Sequence, residues 1–370
     1  SPDAAAAPPP SGRVRRDDVA SWHWATNPIN GLLGVGGVGQ SDFLWYVRTR
    51  PRVLEAFARL WAVDAMYEDA ESCAAALLTS FDGAGAFRPW ASDRRWRTMP
   101  GWWHVDQNSR AAAPRRGRCA VQGLVSLKRQ DATTGGFAVL PGSHRGHEAL
   151  CANSASTIGG AGHFVPLRGG DPLLAAASAR FVSCEAGDLV CWDSRTIHCS
   201  VPAFGGDGGA SALSEAAAGA RLQRDCLLRL TAYVCMSPKR VAPEAVRRQR
   251  KIWWHGGATT SHWPDDWAVS MMPDGRDAAP WLLRELRELP SPRVAARLIG
   301  WDDAAVVDAL PSLNDLGPLF AEWHSEFAPP PGDAPPPLAD VVDDDPMNSS
   351  GHHDPMSSPV CTSAEEVCVA

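Results

Sequence analysis

Hydrophobic spacing divides the chain into helical and sheet-like parts. In residues 51–78 apolar side chains recur every three or four positions, which predicts helix. From about residue 102 to 236 the apolar runs are short and are separated by Gly, Pro, Ser and Asp, a pattern typical of a barrel or sandwich of strands. The predicted strands are 119–127, 136–140, 188–192 and 227–236. After Pro243 the spacing predicts helices that pack outside the sheets, at 244–254, 281–289 and 294–299.

Composition shifts set the expected boundaries of the folded part. The Ala- and Pro-rich residues 1–15 predict a disordered lead-in, and the Pro-, Asp- and Ser-rich residues 329–370 predict a disordered tail. We expect residues 16–328 to form one domain, with a sheet-rich core at about 100–240 and helical flanks on both sides. Within that core the Gly- and Ala-rich residues 204–220 predict a flexible surface insertion between two strands.

Length, charge and cysteine usage narrow the class of protein. A chain of 370 residues that is 45% hydrophobic can bury a sizeable core, and a net charge of -7 does not favour a nucleic-acid partner. No apolar run is long enough to predict a membrane span. The ten cysteines include no C-x-x-C pair and several lie in apolar runs, so we expect a reduced, intracellular and cytoplasmic protein. Because the chain begins with Ser, a lost N-terminal targeting segment stays open, as does the oligomeric state.

Two histidines and one aspartate have the residue types and spacing of a metal site. On an extended strand His104 and Asp106 share a face, so both can point at one ion. His198 is the best candidate for a third ligand from a distant part of the chain. Two imidazoles and one carboxylate are the facial triad of non-haem Fe(II) oxygenases, which leaves coordination positions open. A second copy of the motif, His352-His353-Asp354, lies in the predicted tail and is taken as chance.

One arginine stands in the middle of an apolar strand. Arg229 shares a face of the last predicted strand with Thr231 and Tyr233, while leucine, alanine and valine occupy the other face. A buried guanidinium is costly unless an anion meets it, and its planar fork suits a carboxylate. Ser200 shares the face of His198. The sequence therefore predicts a metal triad with a buried cation nearby that can hold a dicarboxylic acid.

These residues and their neighbours carry a family resemblance. The chain contains HVDQ at 104–107, VQGLVSL at 121–127, GGFAVLPGSH at 135–144 and GDLVCWD at 187–193, then His198-Cys199-Ser200 and Arg229. In this order and spacing it resembles the phytanoyl-CoA dioxygenase-like family of Fe(II)/2-oxoglutarate-dependent dioxygenases. The resemblance covers roughly residues 100–240. It implies a mainly β fold with flanking helices, built on a double-stranded β-helix, which is a jelly-roll, cupin-like core.

The resemblance also implies roles for individual residues. His104, Asp106 and His198 would ligate Fe(II), while Arg229 and Ser200 would hold the distal carboxylate of 2-oxoglutarate. The implied cofactors are Fe(II), 2-oxoglutarate as co-substrate and O2, with ascorbate as a candidate reductant. The implied reaction hydroxylates an unactivated C-H bond of a small organic or lipid-like molecule and converts 2-oxoglutarate to succinate. The intact Asp106 favours hydroxylation over halogenation, and desaturation stays open.

Three further residues are candidates for roles in this scheme. Gln122, on the strand after the first ligand pair, is a candidate contact of the co-substrate. The family arginine follows the distal histidine by about a dozen residues, whereas the insertion widens that gap here, so Arg221 and Arg224 are rivals of Arg229. Strand context favours Arg229, because the two rivals lie in a polar segment.

Other readings of the chain stay open at this stage. The same fold can serve as a non-catalytic, cupin-like metal- or ligand-binding module, or hold Zn(II) for hydrolysis. His147 and His163 have no evident partner and are expected at the surface. The residues 259–264 have no assigned chemistry beyond capping a helix. A run of basic residues is expected to be a solvated helix face rather than a phosphate site: Lys239, Arg240, Arg247, Arg248, Arg250 and Lys251.

Overall fold

The computed structural model describes most of the chain between residues 15 and 307. The described residues are 15–22, 30–34, 37–61, 69–90, 92–110, 119–153, 163–167, 171, 173–174, 179–203, 226–266, 270–271, 285–303 and 307. The predicted insertion at 204–220, the rival arginines Arg221 and Arg224, and the tail at 329–370 lie outside them, as does the lead-in apart from Arg15. The boundaries of the predicted single domain therefore stay a prediction.

Two antiparallel sheets of five strands form the core of the described structure. The first sheet has the order β1-β3-β11-β5-β9 and the second the order β7-β4-β10-β6-β8. Two short pairs, β2 with β12 and β13 with β14, lie beside them. The strands are β1 Leu32–Leu33, β2 Leu77–Thr79, β3 Ala84–Phe87, β4 His104–Val105, β5 Val121–Ser126, β6 Gly136–Val139, β7 Val165–Pro166, β8 Arg180–Val182, β9 Leu189–Asp193, β10 His198–Val201, β11 Arg229–Tyr233, β12 Met236–Pro238, β13 Thr259–Thr260 and β14 Ser270–Met271. The predicted mainly β, jelly-roll class is confirmed.

The first sheet has an apolar outer face and a more polar inner face. On β5 and β11 the residues Val125 and Ala232 pair in register and belong to the main hydrophobic cluster. The alternate positions carry Gln122 and Arg229, which are buried on the opposite face. Because alternate residues of a strand point to opposite sides, the outer face packs on helices and the inner face lines the space between the sheets.

Helices cover the outer face of the first sheet. They are α1 Asp42–Arg48, α2 Pro51–Leu60, α3 Ala70–Ala75, α5 Glu244–His255 and α6 Pro292–Ile299, while α4 His147–Asn153 lies beside the second sheet's cluster. Proline begins both α2 and α6, where its missing N-H loses no hydrogen bond. The fully buried Trp45, Phe57 and Leu298 belong to the resulting core. The helices thus hold the sheet from outside, as predicted.

Three predicted elements differ from the structure. The helix predicted at 51–78 is divided into α2, which ends at Leu60, and α3 at Ala70–Ala75. Its last part is instead strand β2, because residues 77–79 pair with β12. The same pairing divides the strand predicted at 227–236 into β11 and β12. The helix predicted at 281–289 is a short 3-10 turn at Leu286–Glu288, and residues 281–284 lie outside the described part. Among the described helices, none has the length and apolar character needed to cross a membrane.

Candidate active site

Strand pairing brings the two predicted histidine ligands together. His198 on β10 lies directly opposite His104 on β4, in antiparallel register. Asp106 follows β4, and its backbone N-H donates to the carbonyl oxygen of Ser194 at 3.0 Å. That bond ties the chain after β4 to the turn that leads into β10. The two halves of the sequence motif, separated by more than 90 residues, therefore meet at one end of the second sheet.

The three side chains form a compact cluster. Nε2 of His104 lies 3.6 Å from one carboxylate oxygen of Asp106, and Nε2 of His198 lies 3.3 Å from the other. One ligand atom from each residue lies within 4.8 Å of the other two. Both histidines are buried, at 3% and 5% exposure. Within the described part of the chain, the ligand atoms of these three side chains lie close enough together to hold a metal ion.

Backbone carbonyl groups fix the orientation of both imidazole rings. Nδ1 of His104 donates to the carbonyl oxygen of Trp102 at 3.0 Å, and Nδ1 of His198 donates to that of Thr196 at 2.8 Å. A carbonyl oxygen only accepts, so Nδ1 carries the proton of each neutral ring. Each Nε2 then directs a lone pair toward Asp106. This is the tautomer that a metal requires, held by the hydrogen bond that metal-binding histidines commonly make.

The charge states of the cluster suit a cation. Burial raises the pKa of Asp106, but the nearby rings of His104, His262 and His198 outweigh burial and bring the pKa well below its usual range. Burial, together with the neighbouring His104, lowers the pKa of His198. At neutral pH the site therefore presents an ionised carboxylate and a neutral imidazole. These are the protonation states that bind metal without first losing a proton.

Aromatic rings surround the histidines. Trp102 stacks on His104 with ring centroids 4.5 Å apart, and its indole N-H donates to the carbonyl oxygen of Ser200 at 2.8 Å. The rings of Trp192 and Phe137 lie 5.3 Å and 5.6 Å from that of His198. Rings of this size exclude water and lower the local dielectric constant. The cluster consequently has walls that favour tight binding of a cation and of charged ligands.

Arg229 is placed next to the triad strand with unused donors. Its side chain is fully buried, Nε donates to Gln130 Oε1 at 2.8 Å, and Nη1 donates to Ser200 Oγ at 3.2 Å. Nη2 has no hydrogen-bond partner, and no acidic side chain in the described part of the chain forms an ion pair with Arg229. Across the strand pair, Gly85 lets side chains pack closely beside Arg229, since an added Cβ would lie 2.8 Å from Thr231 Oγ1, 2.9 Å from the Tyr233 hydroxyl and 3.4 Å from Nη1. A buried guanidinium with an unused donor fits a carboxylate ligand.

Gln122 contacts the triad directly. Its Nε2 donates to Asp106 Oδ2 at 2.8 Å, while its Oε1 is buried without a hydrogen-bond partner. The structure therefore brings the six predicted site residues together: Gln122 contacts Asp106 of the triad, Ser200 follows His198 on β10, and Arg229 donates to Ser200. Their roles in binding metal and co-substrate stay predictions, including the contact between Gln122 and co-substrate. The decoy motif His352-His353-Asp354 lies outside the described residues.

The segment 259–264 contributes to the site, which its sequence did not indicate. Nε2 of His262 donates to the backbone carbonyl oxygen of Asp106 at 3.2 Å. Thr259 and Thr260 accept hydrogen bonds from the backbone N-H groups of Gly39 and Phe81, each at 3.0 Å. The hydroxyl groups thus join β13 to two loops, and the expected helix cap is wrong. In the sequence, the polar residues of this segment after a helix are the one indication of a role.

Two surface expectations are also wrong. His147 is 4% exposed, and its Nε2 lies 2.5 Å from the carbonyl oxygen of Gln107 and 3.4 Å from Cys151 Sγ. In the basic run Arg250 is 1% exposed and donates to four backbone carbonyl groups, including those of Thr79 and Ile299. Both side chains are buried because they satisfy carbonyl oxygens from distant segments, and this is invisible in local sequence. The exposed Arg240 and Arg248 do match the expected solvated face.

Comparison with known proteins bears on the same segment. Residues 97–205 match the family model described as phytanoyl-CoA dioxygenase (PhyH). A relative from Aspergillus versicolor, "Ava biosynthesis cluster protein O", is 26% identical over 245 residues, which are 64% of this chain and 67% of the relative. Iron-bound EctD from S. alaskensis is 13% identical with a TM-score of 0.37, over 60% of this chain and 62% of that chain. The alpha ketoglutarate dependent epimerase SnoN from nogalamycin biosynthesis is 14% identical with a TM-score of 0.31, over 58% of this chain and 66% of that chain.

Each of these matches covers part of this chain and part of the similar protein. The chain spans less than two thirds of the length of the EctD and SnoN chains. The matched residues 97–205 include His104, Asp106, Gln122 and His198, while Arg229 lies beyond them. Over residues 97–205 the chain therefore carries a phytanoyl-CoA dioxygenase (PhyH) match, and the family resemblance seen in its sequence is confirmed.

Proposed function

We propose that this protein is an Fe(II)- and 2-oxoglutarate-dependent dioxygenase that hydroxylates a C-H bond of a small organic or lipid-like molecule. One observation carries the proposal: a His-Asp-His cluster on the second sheet lies near a buried arginine on the first sheet, which contacts Ser200 of β10 and has an unused donor. The cluster suits Fe(II), and the arginine suits the second carboxylate of a keto diacid. A hydrolytic Zn(II) site would give Arg229 no anion to bind.

Each residue has a defined task in this proposal. His104, Asp106 and His198 would hold the metal through two imidazole nitrogens and a carboxylate, and Trp102 and the Trp192–Phe137 pair would exclude water. When bound, Fe(II) would activate O2 as the oxidant, and 2-oxoglutarate would supply two electrons and leave as succinate and CO2.

The co-substrate would be oriented by two residues on neighbouring sheets. Arg229 would donate Nη2 and the second hydrogen of Nη1 to the distal carboxylate, and Ser200 would donate its hydroxyl. The contact between Arg229 and Gln130 keeps the guanidinium plane fixed before the ligand arrives. Such preorganisation reduces the entropy lost when the co-substrate binds.

The substrate is proposed from the chemistry of the walls and from one relative. Trp102 and Trp192 make the surroundings of the triad largely apolar. The name of the Aspergillus versicolor relative refers to a biosynthesis cluster, which supports a small metabolite rather than a macromolecule as the substrate. O2 would be the oxidant and ascorbate a reductant that keeps the iron as Fe(II).

The test is an anaerobic titration of the purified protein with Fe(II) and 2-oxoglutarate. We expect a weak visible charge-transfer band in the wild-type protein and none in Asp106→Ala. Thermal unfolding of both proteins shows whether the variant is folded. A folded wild-type protein that gives no band beyond that of Asp106→Ala would refute the proposal.

A non-catalytic, cupin-like binding module is the alternative, because the same triad can bind a metal without turnover. The two functions differ in succinate release under air, which only the dioxygenase produces. A screen of metabolite extracts that follows succinate would at the same time identify candidate substrates. Metal binding with no succinate above the Asp106→Ala background, in the absence and presence of extracts, would favour the binding module.

A further inference from the structure

Only one of the two polar atoms in the side-chain amide of Gln122 makes a hydrogen bond. Gln122 is 5% exposed, and its Nε2 donates to Asp106 Oδ2 at 2.8 Å. Its Oε1 is buried and accepts no hydrogen bond. A buried carbonyl oxygen without a donor is unfavourable, because it has lost its hydration and no hydrogen bond replaces it. The unpaired atom therefore marks a position where a donor from outside the protein would be favourable.

The orientation of this amide follows from its partner. The carboxylate oxygen Oδ2 of Asp106 accepts a hydrogen bond, and Nε2 is the end of the amide that donates it, at 2.8 Å. Turning the amide over would place Oε1 against a carboxylate oxygen, which is repulsive. Nε2 must therefore face Asp106 and Oε1 must face away from it. The acceptor is consequently fixed by the same carboxylate that is proposed to hold the metal.

The chemistry of the missing donor excludes the co-substrate. At neutral pH 2-oxoglutarate has two carboxylates and a ketone, so it offers acceptors only and cannot pair with Oε1. The cross-strand partner of Gln122 is Trp192, whose indole Nε1 is a donor that is also buried without a hydrogen-bond partner. Its ring lies 5.3 Å from that of His198. An acceptor and a donor thus stand beside each other on the wall next to the triad.

We propose that Gln122 and Trp192 form a polar subsite that recognises a hydroxyl or N-H group of the substrate. Gln122 Oε1 accepts a hydrogen bond from this group, and Trp192 Nε1 donates to its oxygen or to a neighbouring carbonyl oxygen. The inference rests on the proposed function, because it assigns the molecule in this subsite as the substrate. It narrows the substrate class to molecules with a hydrogen-bond donor near the oxidised carbon. Gln122 thereby positions both Asp106 and the substrate.

The experiment compares matched probes that differ in one donor. The pairs are cyclohexanol with methoxycyclohexane, and pyrrolidinone with N-methylpyrrolidinone. Binding to the anaerobic Fe(II)–2-oxoglutarate complex is read from the change in its visible band and, independently, from the rise in the melting temperature. We expect the wild-type protein to bind the donor member of each pair about 3- to 10-fold more tightly, as one hydrogen bond predicts.

Variants of Gln122 separate its two hydrogen bonds. Gln122→Met keeps the volume but has no acceptor, so the ratio of the two affinities should fall to about 1. Gln122→Glu should keep the preference, because its carboxyl group retains an acceptor oxygen at this position. Gln249→Met is the matched control: Gln249 on α5 is equally buried, at 3% exposure, and its Oε1 also lacks a partner. This control should keep the wild-type ratio.

The possible outcomes are distinct. Equal affinity for both members of each pair, binding of no probe by the wild-type protein, or a preference that survives in Gln122→Met overturns the inference. If Gln122→Met does not fold, the comparison of the wild-type protein with Trp192→Phe decides, because loss of the indole donor should lower the affinity for both pyrrolidinones. Failure of the proposed function is a separate result, since it removes the visible band before any probe is added.

Discussion

Replacement of Arg229 by methionine tests the proposed co-substrate pocket most directly. Methionine approximates the length of the arginine stem and removes the guanidinium. In the wild-type protein this group is fully buried, is held by Gln130 and Ser200, and keeps Nη2 free. We expect Arg229→Met to lose affinity for 2-oxoglutarate while the three proposed metal ligands remain in place.

The magnitude follows from the number of unused donors. Nη2 and the second hydrogen of Nη1 can make two charge-assisted hydrogen bonds, each contributing about 1.5–3 kcal/mol. Since about 1.4 kcal/mol corresponds to a tenfold change, the dissociation constant of 2-oxoglutarate should rise by about 100- to 10,000-fold. The melting temperature of the metal-free protein should change by less than about 4 °C. The variant loses the hydrogen bonds to Gln130 and Ser200, but it also removes a buried charge that has no ionic partner.

The assay is an anaerobic 2-oxoglutarate titration of the Fe(II)-loaded protein, followed by its visible band. Arg221→Met and Arg224→Met are the controls, because both arginines are sequence rivals that lie outside the described residues. They should bind 2-oxoglutarate as the wild-type protein does. An affinity in Arg229→Met within about threefold of wild type, below the loss of a single charge-assisted bond, would refute the reasoning. A large loss in one of the controls instead would transfer the role to that arginine.

Three further predictions use other parts of the structure. Gly85→Ala should raise the KM for 2-oxoglutarate about tenfold and leave the Fe(II) affinity unchanged. The new Cβ would lie 2.8 Å from Thr231 Oγ1 and 2.9 Å from the Tyr233 hydroxyl, so the side chains beside Arg229 must shift. Steady-state kinetics and metal titration check this. Arg250→Met should lower the free energy of unfolding, measured in urea, by about 3–5 kcal/mol, since four hydrogen bonds to backbone carbonyl groups are lost. Replacement of the exposed Arg248 by methionine should change it by less than about 0.5 kcal/mol. A loss of less than about 1 kcal/mol for Arg250→Met contradicts the argument. Burial raises the pKa of Asp82 to about 7, so the folded protein binds a proton that the unfolded chain releases above about pH 4. The free energy of unfolding, measured with EDTA present, should therefore fall between about pH 4 and pH 7 in the wild-type protein, and the fall should be smaller in Asp82→Asn.

The triad could be predicted from the sequence because the evidence for it lies in local residue spacing and in the geometry of a strand. The two-residue spacing of His104 and Asp106 already places both side chains on one side of an extended segment. The apolar neighbours of Arg229 already indicate that its charge is buried and needs an anion. The sequence also predicted Gln122 as a candidate contact of the co-substrate, but not its contact with Asp106. That contact depends on how far β5 is shifted relative to β4 in the other sheet.

Long-range hydrogen bonds account for what the sequence did not predict. His262 reaches the backbone of Asp106 across 156 positions, and Arg250 reaches Thr79 across 171. Residues 77–79 have helical apolar spacing but form a strand, because β12 offers them unpaired backbone groups. In each case the deciding partner is remote in sequence. Local propensity amounts to a few tenths of a kcal/mol per residue and yields to such tertiary contacts.

Sequence alone therefore determined the mainly β class, the ligand candidates and the need for an anion near Arg229. These follow from side-chain chemistry and from the two-residue period of a strand, which hold wherever the strand lies. Tertiary structure alone decided that His104 and His198 face each other and that Gln122 donates a hydrogen bond to Asp106. It also decided that Oε1 of Gln122 is left without a donor. The physical reason is that register and the packing of two sheets set distances between residues far apart in the chain, and hydrogen bonds depend on those distances.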